Sequence, residues 1–175
     1  MTAHRSPTAV AAQAGPARSI LQLRLGDPRV APLLAGLLEE YTARYGDRYG
    51  GASHELTRFP AEEFAPPHGT LLIVREAGES VAGGAFRRFD ARTAEFKRIW
   101  THAAHRRRGL ARAVLAALES EAIRRGYARV YLTTGPRQPE AVALYLTAGY
   151  TPLFDLHADP ETIGHLAFEK HLGVG

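Results

Sequence analysis

The 175-residue sequence contains no cysteine, one methionine and one tryptophan. Without cysteine there is no disulfide framework, no thiolate metal site and no cysteine nucleophile. Eight histidines are present, but none falls in an HExxH or comparable ligand spacing, so no metal is expected. No apolar run approaches the roughly 20 residues that cross a bilayer. The first 18 residues, rich in Ala, Thr, Pro and Gly, hold one weakly apolar patch, TAVAAQA. It is too short for a signal peptide, so residues 1–18 are expected to be a disordered tail and the cytoplasm is the default location. Acidic residues are also missing where they matter most. None lies between Glu95 and Glu119, while Lys97, Arg98, Arg106, Arg107, Arg108 and Arg112 are all basic.

With 45% hydrophobic and 23% charged residues, the chain suits one compact domain over residues 19–175. The net charge of +4 is modest, and only its clustering points to an anionic partner. The stretch AEFKRIWTHAAHRRRGLARAVLAALESEA, Ala94 to Ala122, reads as a strand, a basic glycine-containing turn and an amphipathic helix. A helix N-terminus presents unpaired N–H groups and about half a positive charge, which favours phosphate. Gly109 and the small Ala111 let the main chain approach a bulky diphosphate, and the arginines add charge-assisted hydrogen bonds. The same arginines can also be read as a solvated helix start or a nonspecific nucleic-acid patch.

The helix that follows carries Leu110, Ala111, Val114, Leu115, Leu118 and Ala122 on one stripe, with Glu119 and Glu121 away from most of it. Gly126 is placed to end it. Earlier, SILQLRL (19–25) alternates as a strand, and Asp27-Pro28 opens a helix to about Tyr45 with Val30, Leu33, Leu34, Leu37, Leu38 and Tyr41 inward. Pro32 and Gly36 weaken that helix early. Residues 46–68 lack periodicity and admit a short helix at Pro60–Phe64; they can line a ligand mouth or simply cover the core. TLLIVR (70–75), Ser80–Phe89 and Thr93–Thr101 form an antiparallel meander. After the long helix, Ala128–Thr134 is a strand, Glu140–Ala148 a helix opened by Gln138-Pro139, and Tyr150–Leu156 and Gly164–His171 are strands. The order β-α-β-β-β-α-β-α-β-β describes an α+β fold with a mixed, mostly antiparallel sheet of about seven strands and flanking helices.

Over residues 19–171 this pattern resembles the GNAT superfamily of N-acetyltransferases. The family's Arg/Gln-x-x-Gly-x-Gly/Ala turn is matched by Arg106, Gly109 and Ala111, supported by EFKRIWT upstream and AVALYLTAGY downstream. The resemblance implies an acyl-CoA N-acyltransferase fold with acetyl-CoA as acyl donor. Its diphosphate would rest on Arg106, Arg107, Arg108, Gly109, Leu110 and Ala111, with Arg112 close behind. Pantetheine would bond the main chain of Ile99, Trp100 and Thr101. It also implies that Tyr145 serves the departing thiolate, either as acid or by a hydrogen bond, with a packed core tyrosine as the bland alternative. Glu95, eleven residues before Arg106, sits where some members carry a general base, although Lys97 on the same strand side can instead pair with it. Gln138 stands where the family often has asparagine, with the same amide on a longer stem.

An enzyme of this kind transfers acetyl to an amine-bearing small molecule or peptide by direct attack, since an acyl-cysteine route is closed. The alternative from another class is a non-catalytic acyl-CoA-binding or interaction domain of the same fold. Nucleic acid is not expected as the main partner, because aromatics are not interleaved with the arginines. A homodimer is left open. Residues 41–64 and the segment from Phe154 to His165 are expected to shape the acceptor pocket, whose specificity the sequence does not select.

Overall fold

A computed structural model describes residues 16–173. Most of the tail expected over 1–18 lies outside the described residues, and Arg18 already belongs to the first strand. Seven strands make one sheet: β1 (Arg18–Gln22), β2 (Thr70–Glu76), β3 (Glu79–Arg88), β4 (Thr93–Thr101), β5 (Arg129–Thr134), β6 (Thr151–Pro152) and β7 (Leu166–His171). Their order is β1-β2-β3-β4-β5-β7-β6. Every pairing is antiparallel except that of β4 with β5, as the α+β reading expects.

Helices cover both faces. On one face α3 (Leu110–Arg124) and α4 (Pro139–Thr147) close a core of Leu110, Val114, Leu115, Leu118, Phe86, Phe96 and Phe168. Each such buried side chain stabilises by about 1.5–3 kcal/mol relative to exposure. On the other face α1 (Ala31–Tyr45) lays Leu33 and Leu37 against Ile73, Phe64 and Trp100. Leu38, expected inward, is 43% exposed. Gly36 does not interrupt α1. A Cβ there would come within 2.2 Å of Trp100 Nε1, so glycine is what allows the helix to lie on the indole.

Several elements differ from expectation. A short helix α2 (Ala52–Thr57) occupies the stretch read as irregular, and another, α5 (Pro160–Ile163), precedes β7. The strand expected over Tyr150–Leu156 shrinks to Thr151–Pro152. Glu121 is buried, because Arg125 Nε reaches its carboxylate at 2.8 Å and Arg124 also bonds it. Two neighbouring guanidinium groups thus let a charged residue enter the packed stripe.

The feature that positions the site is a bulge in β4. Ala85 pairs with Lys97 and Gly83 with Trp100, so Arg98 and Ile99 together stand opposite Gly84, and Arg98 takes φ 60. An extra residue reverses side-chain parity. Phe96 therefore faces the α3 core, whereas Trp100, four residues on, faces α1. The parallel ladder with β5 runs only from Thr93 to Phe96. Beyond it the two strands part, leaving the β5 side of Lys97–Thr101 unpaired.

Candidate active site

The gap between β4 and β5 opens into a cavity of about 720 Å³. Of the residues singled out from sequence, Ile99, Trp100, Thr101, Arg106, Arg107, Gly109, Leu110, Ala111, Arg112, Gln138 and Tyr145 line it; Arg108 and Glu95 do not.

At one end is the N-terminus of α3. Gly109 caps it in the left-handed region, φ 73 and ψ 13, and no side chain bonds the first-turn N–H groups. Arg107 is also left-handed, φ 61. Alternating backbone signs of this kind curl successive N–H groups into an anion-binding concavity. Arg106 and Arg107 flank it. Arg108 turns the other way: its guanidinium meets Glu76 at 2.9 Å and His105 Nδ1 at 2.7 Å. It fastens the turn to β2 rather than facing the cavity.

Glu76 is 3% exposed. Arg18, which donates to its carboxylate, holds it below the usual range against the opposing effect of burial, and Arg108 adds to this. A carboxyl depressed on folding contributes stability above its ordinary value of 4.5 and loses it as pH falls through the lower folded value. Glu76→Gln accordingly lowers the thermal midpoint at pH 7. In melts recorded from pH 7 downward, the gap to wild type closes below pH 4.5.

Tyr145 stands at the other end, from the inner face of α4, its ring against Phe168 at 5.4 Å and Tyr150 at 5.8 Å. Burial pushes its phenol pKa well up, so the hydroxyl stays protonated. Tyr41, which lines the same cavity, is raised likewise, by burial first and then by the nearby Tyr145. Gln138 uses its amide oxygen on the β5–α4 turn, accepting from Thr134 Oγ1 (3.1 Å), Gly135 N (3.1 Å) and Tyr45 OH (3.2 Å). Its NH₂ is the end left for a ligand.

Glu95 belongs to a chain of charges instead of the cavity wall. Its carboxylate lies 2.6 Å from Arg87 and 3.6 Å from Lys97; Arg87 also pairs with Glu63, and Lys97 with Glu55 at 3.3 Å. The pairing with Lys97 that the sequence offered as the alternative is thus present, and Arg87 adds a second cation to it.

The segments expected to shape the acceptor side do line the cavity through Tyr41, Tyr45, Tyr49, Gly51 and His165. The Tyr49 and His165 rings meet at 5.1 Å, and Arg48 pairs with Glu161 at 2.8 Å. Glu55 and Leu56, within the same 41–64 segment, also line it, and so do Arg98, Thr133 and Thr134, which were missed. The β5 threonines follow from the strand's parallel pairing with β4; for Arg98 the signal was the break in alternation at Lys97-Arg98 and Ile99-Trp100.

A mostly antiparallel seven-stranded sheet that parts at its one parallel seam is the acyl-CoA N-acyltransferase fold. The chain belongs to the acetyltransferase (GNAT) family, whose model matches residues 34–150. It is 34% identical over 107 residues to YsnE of Bacillus subtilis (strain 168), described as an uncharacterized N-acetyltransferase, covering 58% of this chain and 71% of that one. Its fold is similar to PaiA N-acetyltransferase from Thermoplasma acidophilum in complex with coenzyme A (TM-score 0.67, 13% identity, 89% and 99% of the two chains). It is also similar to YncA from Salmonella typhimurium with its cofactor acetyl-CoA (TM-score 0.65, 17% identity, 91% and 96%). No helix among the described residues is long and apolar enough to cross a membrane.

Proposed function

We propose that this acetyltransferase moves acetyl from acetyl-CoA to a primary amine by direct attack in a ternary complex. The observation that carries the reading is one continuous cleft joining the uncapped N-terminus of α3 to Tyr145 along the unpaired side of β4. The donor's diphosphate rests on the main chain of residues 106–111, with Arg106, Arg107 and Arg112 balancing its charge. Pantetheine lies along Ile99–Thr101 and bonds the free strand edge as a neighbouring strand would. Gln138 offers it amide N–H groups.

The neutral amine nitrogen attacks the thioester carbon. A backbone N–H of β4 stabilises the oxyanion, a type of contact worth about 2.7–4 kcal/mol elsewhere. As the tetrahedral intermediate collapses, the C–S bond breaks and the electron pair leaves on sulfur. Tyr145 receives that charge through its hydroxyl. The proton lost by the amine passes to cavity water. YncA with acetyl-CoA and PaiA with coenzyme A support the donor by analogy of fold.

Isothermal titration with acetyl-CoA, followed by a thiol-release screen over amines, amino acids, polyamines and peptides, tests both halves. Micromolar binding together with N-acetylated product is the expected result. Absence of binding at high micromolar acetyl-CoA rejects the donor; binding without turnover of any amine leaves the acyl-CoA-binding domain as the better description.

A further inference from the structure

We infer that the acceptor carries a carboxylate beside its amine, as an amino acid does, and that Arg98 is the residue that receives it. The inference rests on the acetyl-transfer reading above and specifies the substrate class of the same site.

Three cations project from β3 and β4 onto the segment 55–63: Arg87, Lys97 and Arg98. Glu63 and Glu95 pair with Arg87, and Glu55 and Glu95 with Lys97. No carboxylate among the described residues reaches Arg98. Arg98 is only 6% exposed, and it is among the residues lining the cavity. One terminal nitrogen donates to the Leu56 carbonyl at 2.7 Å. The other, Nη1, is buried without any hydrogen-bond partner.

Phe64 does not answer that need. Its ring centroid lies 4.2 Å from the guanidinium carbon and takes up the face of the cation, whereas N–H donors point along the guanidinium plane. A buried charge without a counter-ion is unfavourable, and burial accordingly presses the Arg98 pKa down. The bulge that puts it there is itself strained, with a non-glycine residue at φ 60. Normal alternation would have turned Arg98 toward the α3 core with Phe96. Strain and an orphaned cation in a ligand cavity are jointly explained by an anion that arrives with the substrate. A carboxylate entering between Tyr41, Leu56 and Arg98 neutralises the charge, and a turn of the guanidinium brings the unpartnered N–H onto it. Its amine is then directed toward Tyr145, which lines the same cavity.

The test uses matched pairs: free α-amino acids of every side-chain type and their carboxamides, assayed by thiol release from acetyl-CoA with wild type, Arg98→Lys and Arg98→Met. The expected result is a kcat/KM for the best acid roughly ten- to hundredfold above that for its amide. That preference shrinks in Arg98→Lys and vanishes in Arg98→Met, carried mainly by KM. Acetyl-CoA affinity by titration stays near wild type in both variants. Equal use of acid and amide by wild type, turnover of neither, or an equal loss on both in Arg98→Met overturns the inference. The last result would mark Arg98 as merely the anchor of α2. Failure of wild type to bind acetyl-CoA would instead reject the underlying enzyme reading.

Discussion

Replacing Tyr145 by phenylalanine lowers kcat by roughly 10²-fold while the acetyl-CoA dissociation constant stays within about twofold, an effect at the low end for a proton-handling group. The exchange keeps the ring contacts with Tyr150 and Phe168 and removes only the hydroxyl. Burial raises that hydroxyl's pKa, and removing a buried polar group while keeping the packing leaves no partner stranded, so the melting temperature should not fall. The upward shift also defines its role. A thiolate of pKa near 8.5 is a weaker base than the buried phenolate, so complete proton transfer from Tyr145 is uphill. A strong hydrogen bond to the departing sulfur is the better description, which is why the larger end of the range is not expected. Stopped-flow thiol release and titration with acetyl-CoA, run on both proteins, separate the two parameters. Unchanged turnover removes Tyr145 from the chemistry and returns it to the core; a matching loss of affinity makes it a cofactor contact.

The Arg106–Ala111 end of the cleft was legible from sequence because its determinants are local. An acid-free run, a glycine and an apolar stripe at helical spacing lie within one strand-turn-helix, and their order fixes their geometry. The β-meander was legible for the same reason. The end lined by Tyr41, Leu56 and Arg98 was not, because two long-range events build it. The bulge at Arg98 shows in EFKRIWT only as a break in alternation, with Lys97-Arg98 both polar and Ile99-Trp100 both apolar; the register against Gly83 and Ala85 identifies it as an extra residue. Likewise α2 is short, capped by Gly51 without a side-chain bond, and held by the Leu56 carbonyl and the Glu55–Lys97 pair. Arg108 is a case between the two. It was rightly placed in the turn, but its direction is decided by Glu76, thirty-two residues earlier.

Gly109→Val separates conformation from space at the turn and should raise the acetyl-CoA dissociation constant by at least roughly 10²-fold, since several charge-assisted N–H bonds, each worth about 1.5–3 kcal/mol, depend on one backbone shape. In the unliganded fold a Cβ at Gly109 meets nothing within 4 Å, so the folding penalty is conformational. At φ 73 it is about 1–2 kcal/mol for an L-residue and larger for a β-branched one. The open space beside Gly109 adjoins the first-turn N–H groups of α3, where the proposed diphosphate would rest. Valine would therefore harm binding twice, by opposing the left-handed turn and by occupying that space. Gly109→Asn tells the two apart, because asparagine tolerates the left-handed region yet still carries a side chain. The expected pattern is a near-normal melting temperature for asparagine with acetyl-CoA affinity clearly reduced, and losses in both for valine. If asparagine binds like wild type, glycine is there for its backbone alone. If valine also binds within about threefold, which is less than the worth of one such bond, the diphosphate does not sit on this turn, and the donor site assigned to residues 106–111 is wrong.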